Sequence, residues 1–176
     1  MAGNQHPERL VNFRVYNEQN DLLGIATVDL PEIEFMSDTV SGAGIAGEIE
    51  SPVLGHVSAM SATFSWRTIE EAAIVLADST RSHHLEVRGS QQVYDSASGK
   101  NSTKAIKAVL MAKPKTISLG TFEPGATTDT EQEFAVDYFK LYVAGKVCIE
   151  IDQLGNKHEI NGVNALESVN RDLGLA

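Results

Sequence analysis

Gly42-Ala43-Gly44-Ile45-Ala46-Gly47 spells G-x-G-x-x-G, the spacing that lets a loop turn tightly and bring backbone amides against a pyrophosphate. That chemistry also needs a helix N-terminus directly after the glycines. Here Glu48-Ile49-Glu50-Ser51-Pro52 follows, which alternates like a strand, stops at a proline and would turn two glutamates toward the phosphates. The glycines therefore read as turn and close-packing residues. His83 and His84 are adjacent, and on a strand they point to opposite faces and cannot share a metal. His6, His56 and His158 stand alone, and Cys148 alternates with Val147 and Ile149 as a buried or half-buried structural thiol would. Asn101-Ser102-Thr103 is formally a glycosylation sequon, which carries little weight without a secretory leader.

The acidic residues are the more informative set. Over 32–40, Glu32, Glu34 and Asp38 share a period-two face opposite Ile33 and Phe35, and over 45–50, Glu48 and Glu50 oppose Ile45 and Ile49. Paired carboxylates can do acid–base work, but these have no accompanying nucleophile or base, so no catalytic residue is assigned. Two readings stay open, a solvated face of an antiparallel sheet and an acidic lining of a passage, where like charge keeps a phosphate polymer from adhering.

The elements that must position these residues are mostly strands. Val11, Phe13 and Val15 mark a half-buried strand over 10–16, and Asn17 to Asp21 a turn into a strand over 22–30. Further strands are expected over 32–40, 45–50, 60–66, 83–94, 104–113, 116–122, 131–143 and 146–152, with Ala144-Gly145 as a tight turn. The segments 95–102 and 123–130 read as loops. Thr68 and Glu71 form a capping-box pattern for a helix over 69–78. Asn164 and Glu167 would cap a short C-terminal helix with Leu166, Val169 and Leu173 inward and Gly174 as the stop. The fold class is mainly β, an antiparallel β-sandwich or barrel with a long hairpin, one packed helix and a short C-terminal helix, in a single domain over 1–176.

Composition limits the function classes. The 176 residues are 42% apolar and 22% charged with 5 Pro, which is globular rather than disordered or collagenous. The single Cys148 cannot form an intrachain bridge, the N-terminus has no apolar leader core, and the longest apolar run is 72–77, far short of the about 20 residues of a membrane span. A soluble chain without membrane insertion is expected. Against 14 Lys and Arg stand 24 Asp and Glu, a net charge of −10. Residues 15–66 contain no Lys or Arg and eight acids, whereas 81–115 hold seven bases against Glu86 and Asp95. Such a chain is poorly suited to gripping nucleic acid, since phosphate binding rests on Lys and Arg.

Tyr138-Phe139-Lys140-Leu141, Gly145-Lys146, Glu150-Ile151-Asp152, Asn161-Gly162-Val163 and Arg171-Asp172-Leu173-Gly174-Leu175 occur in an order and approximate spacing that resembles the major tail tube proteins of contractile-tailed bacteriophages. Leu30-Pro31, the segment 41–47, Pro52 and Gly55 extend the resemblance, which covers most of the chain from about Leu10. The resemblance implies a structural protein without enzymatic activity or cofactor. It implies six-fold rings that stack into a hollow tube, with hairpins joining into a continuous inner β-barrel. A sheath protein would lie outside, initiator and terminator proteins at the ends, and DNA would pass through the lumen without specific binding. The expected site is the virion tail, with assembly in the host cytoplasm. On this reading Glu32, Glu34, Asp38, Glu48 and Glu50 line the lumen, with Ile33, Phe35, Ile45 and Ile49 against the core. A second lumen hairpin is expected from 83–94 and 104–113, and Lys104, Lys107 and Lys113 are assigned to contacts between subunits, rings or sheath. Two alternatives are the tube of a phage-derived contractile machine carrying no genome (an R-type bacteriocin or a secretion system) and a small soluble β-domain that binds a ligand.

Overall fold

The alternating segments build strands β1 (Gln5–Tyr16), β2 (Ala26–Asp29), β3 (Phe35–Val40), β4 (Ile49–Val57), β5 (Met60–Trp66), β6 (His83–Asp95), β7 (Lys100–Ser118), β8 (Thr130–Val143), β9 (Lys146–Asp152), β10 (Lys157–Ile160) and β11 (Val163–Asn164). Two short helices, α1 (Glu71–Ile74) and α2 (Glu167–Asp172), complete the fold. The computed structural model describes residues 4–19, 21–24 and 26–175, apart from the side chain of Ala26.

Among the described residues nine strands share one antiparallel sheet, in the order β1-β6-β7-β8-β9-β10-β11, with β5 also on β8 and β2 on β5. β8 forks: its first half pairs with β5 from Thr130 to Val136, and its second half with β9 from Tyr138 to Val143. The two arms enclose a core of Phe64, Trp66, Leu85, Leu110, Phe134 and Ile151. Burying each such side chain contributes roughly 1.5–3 kcal/mol, and Phe64 meets Phe134 edge-on at 5.5 Å. One buried polar relay crosses this core. Trp66 Nε1 donates to Gln132 Oε1 at 2.8 Å, and Gln132 Nε2 donates to the Ala73 carbonyl at 3.0 Å, tying α1 to β8.

Several boundaries depart from the sequence reading for physical reasons. The strand expected over 32–40 begins at Phe35, and Glu32 and Glu34 precede it without regular secondary structure. The strand expected over 45–50 runs instead from Ile49 through Pro52 to Val57. Pro52 is tolerated because the β3–β4 ribbon is only two strands wide, so a missing N–H can face outward. The strand expected over 104–113 and the start of that expected over 116–122 are one strand, β7, carried past Pro114 by a register shift between Pro114 and Thr116, and it ends at Ser118, so 119–122 is not strand. Most of the expected loop 95–102 belongs to the β6–β7 hairpin, with Asp95 paired to Lys100. The strand over 22–30 shrinks to β2, and Asn20 and Ile25 of that region lie outside the described residues.

The expected helix over 69–78 is one α turn followed by a 3-10 turn over Val75–Ala77. The capping box does not form: Thr68 Oγ1 donates to Glu70 at 2.8 Å and no side chain caps α1. Asn164 acts two residues ahead of the cap position, which Leu166 takes, and accepts from the Leu166 amide at 3.1 Å. The C-terminal stop forms as read. Gly174 sits at φ 70°, its N–H donates to the Arg171 carbonyl and that of Leu175 to the Asn170 carbonyl, a Schellman arrangement.

Candidate functional site

The β3–β4 ribbon stands apart from the main sheet. Among the described residues no third strand pairs with it, and its side chains are exposed on both faces: Ile49 is 54% and Leu54 58% accessible. Its tip contains the glycine motif, where the Ile45 amide donates to the Gly42 carbonyl at 3.1 Å and Gly44 and Gly47 take φ of 98° and 125°. Both values favour glycine, in keeping with a turn.

Register divides the acidic residues. Asp38 lies opposite Ser51 and Val40 opposite Ile49, so these share one face, while Ser37 opposite Pro52 and Thr39 opposite Glu50 make the other. Ser37 Oγ donates to Glu50 Oε1 at 2.5 Å across that second face. The single acidic face expected from periodicity is therefore not present in the ribbon, because the strand pairing sets Asp38 and Glu50 on opposite sides. Of the apolar residues expected against the core, Ile33 packs there, and Ile45 in the tip turn is half-buried. Phe35 and Ile49 are exposed.

What fixes the ribbon is its root. Gly55, at φ 69°, lies so close to Leu166 that an added Cβ would fall 2.5 Å from Leu166 Cγ. His158 of β10 is buried, its Nδ1 hydrogen-bonded to the Gly55 carbonyl at 3.0 Å, and its ring stacks on Phe35 at 5.6 Å. His158, which stands alone in the sequence and is expected there at the surface or at a cap, is instead a buried strand residue that ties β10 to β4, and the signal for it is the short alternating run Lys157–Ile160 ahead of the Asn161-Gly162 turn.

The face of the main sheet away from the core is dense with charge. Rows run across it through Arg14, Arg88, Lys107 and Tyr142, and through Glu86, Val109, Lys140, Glu150 and Glu159. Glu150 accepts from Tyr138 Oη at 2.9 Å and meets Lys157 at 2.7 Å and Lys140 at 3.3 Å. Burial pushes its carboxyl up, but the hydrogen bonds from Lys157, Tyr138 and Lys140 outweigh that and hold it below the usual carboxylate range. Burial, then the Glu150 hydrogen bond, raise the Tyr138 phenol well above its ordinary value. Glu86 meets Arg88 at 2.5 Å and Lys107 at 3.9 Å, and Arg88 also lies 4.5 Å over the Tyr16 ring.

The three singled-out lysines fall on β7. Lys107 sits 4.6 Å over the Tyr142 ring, Lys113 pairs with Asp137 at 2.5 Å, and Lys104 forms no ion pair among the described residues. The segments 83–94 and 104–113 do pair as one hairpin. His83 is held by the Asp78 carbonyl at 2.8 Å, and Cys148 is half-buried. Among the described residues no three His, Cys, Asp or Glu groups are arranged to hold a metal ion, and no helix is long and apolar enough to cross a membrane. A surface cleft of about 520 Å³ lies between the 17–21 turn and α1, bordered by Glu70, Glu71, Arg81 and His84.

The profile of the family described as phage tail tube protein FII matches residues 7–174. The tail tube protein of Escherichia phage P2 is 26% identical over a 173-residue alignment that covers 96% of this chain and 98% of that one. Two solved structures share the fold, both from an extracellular contractile injection system, PVC, in its extended state. A chain of the sheath/tube terminator aligns with TM-score 0.55 at 10% identity, covering 78% of this chain and 97% of its own. A chain of the sheath–tube complex aligns with TM-score 0.55 at 11% identity, covering 78% and 92%.

Proposed function

Because the chain belongs to the phage tail tube protein FII family, a structural family and not an enzymatic one, we propose that it forms six-fold rings that stack into the inner tube of a contractile tail and conduct DNA during ejection. The observation that carries this reading beyond family membership is the β3–β4 ribbon, a two-stranded arm with apolar residues exposed on both faces. A lone ribbon is marginal in water, and inter-subunit pairing removes the free edges that would otherwise aggregate. Neighbouring ribbons and the β6–β7 hairpin would then close the inner barrel. A sheath protein would surround the tube, with initiator and terminator proteins at its ends. Lys104, Lys107 and Lys113 are proposed at contacts between subunits, rings or sheath.

Glu32, Glu34, Asp38, Glu48 and Glu50 are proposed to face the lumen or its rim, where like charge opposes adhesion of DNA. Register allows only one of Asp38 and Glu50 to point inward from the ribbon itself. Negative-stain electron microscopy of the concentrated protein is expected to show end-on rings with a central hole and stacked tubes, and strictly monomeric particles at every concentration would overturn the ring. In an assembled particle, Glu32→Lys with Glu34→Lys is expected to leave the tube intact and impair DNA passage, and normal ejection would refute the lumen assignment. The second reading, a contractile machine without a genome, is supported by the fold shared with injection-system chains. Capsid and terminase genes beside this one favour the phage, and their absence the genome-free machine.

A further inference from the structure

Resting on the tube reading, the geometry points to a specific contact between two copies of this chain: the Glu50 face of one copy's β3–β4 ribbon docks alongside the β1 edge of the next, its carboxylates meeting Arg9 and Arg14. β1 ends the sheet order and has a partner on one side only, β6, through most of its length. Arg9 lies opposite Gln92 and Arg14 opposite Arg88, so both arginines share the face away from the core. Neither forms an ion pair among the described residues, and Arg14 stands in a row with Arg88 and Lys107. This edge thus has cations in excess. Leu10, on the core side of the same strand, is 50% exposed and Val11 57%.

The ribbon is the complement on both faces. Glu50 lies on one side, with Glu48 just before the strand, and Val40 and Ile49 lie on the other. With Glu50 turned toward the arginine face, Val40 and Ile49 come to the side where Leu10 is exposed. Opposite charges and apolar pairs across adjacent strands then both form, each a favourable cross-strand arrangement. Residues 15–66 contain no Lys or Arg that could neutralise the carboxylates from within the ribbon. The two surfaces are also distinct: the ribbon is rooted on His158 of β10, five strand positions from β1 in the sheet order. A contact between two different patches of one chain is head-to-tail, the kind that closes into rings. Pro7 and two register shifts, Pro7/Arg9 and Leu10/Asn12, guard the β1 edge against indiscriminate pairing.

The test uses charge exchange and a cross-link. Arg9→Glu with Arg14→Glu, and separately Glu48→Arg with Glu50→Arg, are each expected to lower the yield of rings at fixed concentration by about tenfold or more. Combining all four substitutions is expected to restore it. Independently, Leu10→Cys with Ile49→Cys in a Cys148→Ser background is expected to give disulfide-linked chains of two or more copies on mild oxidation. Trp66 fluorescence verifies that each variant is folded. Full ring yield from either reversal, or no recovery in the four-fold variant, overturns the contact. No inter-copy cross-link overturns it whether or not tubes form. A cross-link from a protein that never forms rings supports the contact and counts against the tube reading instead, which separates the two.

Discussion

The ribbon's direction should depend on one steric fit, Gly55 against Leu166, and this can be measured on the isolated subunit. Gly55→Ala imposes two costs. Its φ of 69° is in the left-handed region, where a non-glycine residue costs about 1–2 kcal/mol. The new Cβ would fall 2.5 and 2.6 Å from Leu166 Cγ and Cδ2, and overpacking of this kind costs roughly 1–3 kcal/mol. The sum is a loss of about 2–5 kcal/mol. Leu166→Ala alone removes a buried side chain and should cost about 2–4 kcal/mol. In the double variant the clash is gone while the backbone strain remains, so the two effects should fall short of additivity by roughly 1–3 kcal/mol. Trp66, the one tryptophan and fully buried, reports urea unfolding. Additive losses within about 0.5 kcal/mol would show that Leu166 does not hold Gly55, and the account of the root would fail.

Gln132→Leu leaves the Trp66 indole N–H and the Ala73 carbonyl without their partner, a loss of about 2–4 kcal/mol and a fall in Tm of roughly 5–15 °C. Circular dichroism melts check it, and an unchanged Tm would refute the relay's role. Glu150 is held below its ordinary value of 4.5, so its pairing stabilises the fold above that pH, and the contribution is lost as pH falls through the depressed folded value. Glu150→Gln should therefore flatten the acid limb of a stability–pH curve, and an unchanged limb would count against the cluster. Tube formation should weaken between about 0.1 and 1 M salt, as the screening length drops from roughly 10 to 3 Å. Sedimentation yields that ignore salt would refute electrostatic steering between the acidic and basic halves of the chain.

The strands that could be read from sequence are those with one buried face and complete alternation. Met60–Trp66 places Met60, Ala62, Phe64 and Trp66 inward without interruption, and its ends agree with the reading. Ala144-Gly145 forms a turn with both residues at positive φ, 52° and 77°, as the dipeptide suggests. Where the reading failed, tertiary pairing overrode local signals. Pro52 and Pro114 each looked like a strand end, yet each lies inside one, in a two-stranded ribbon and beside a register shift. The five acidic residues looked like one face of a hairpin because period-two counting assumes that its two strands run through all of them in a matching register. Glu32, Glu34 and Glu48 lie outside the strands, and the pairing of β3 with β4 separates Asp38 from Glu50. The Glu150 cluster was not visible at all, since Tyr138 and Lys140 of β8, Glu150 of β9 and Lys157 of β10 come from three strands whose adjacency only the sheet order reveals.

The root of the ribbon explains how one chain can be both a stable subunit and an assembling one. The core lies between the arms of the forked sheet and takes nothing from the ribbon beyond Val57 at its base. Substitutions at the tip, from Asp38 to Glu50, therefore remove no core contact and should change subunit stability by no more than about 0.5 kcal/mol. The same residues carry the exposed carboxylates and apolar side chains from which the inter-copy contact is built. Stability and assembly meet only at Gly55, His158 and Leu166, where C-terminal residues set the ribbon's direction. A lesion there should lower both, while a lesion at the tip should lower assembly alone. That asymmetry follows from the placement of the core, and it would disappear if the ribbon folded back onto its own sheet.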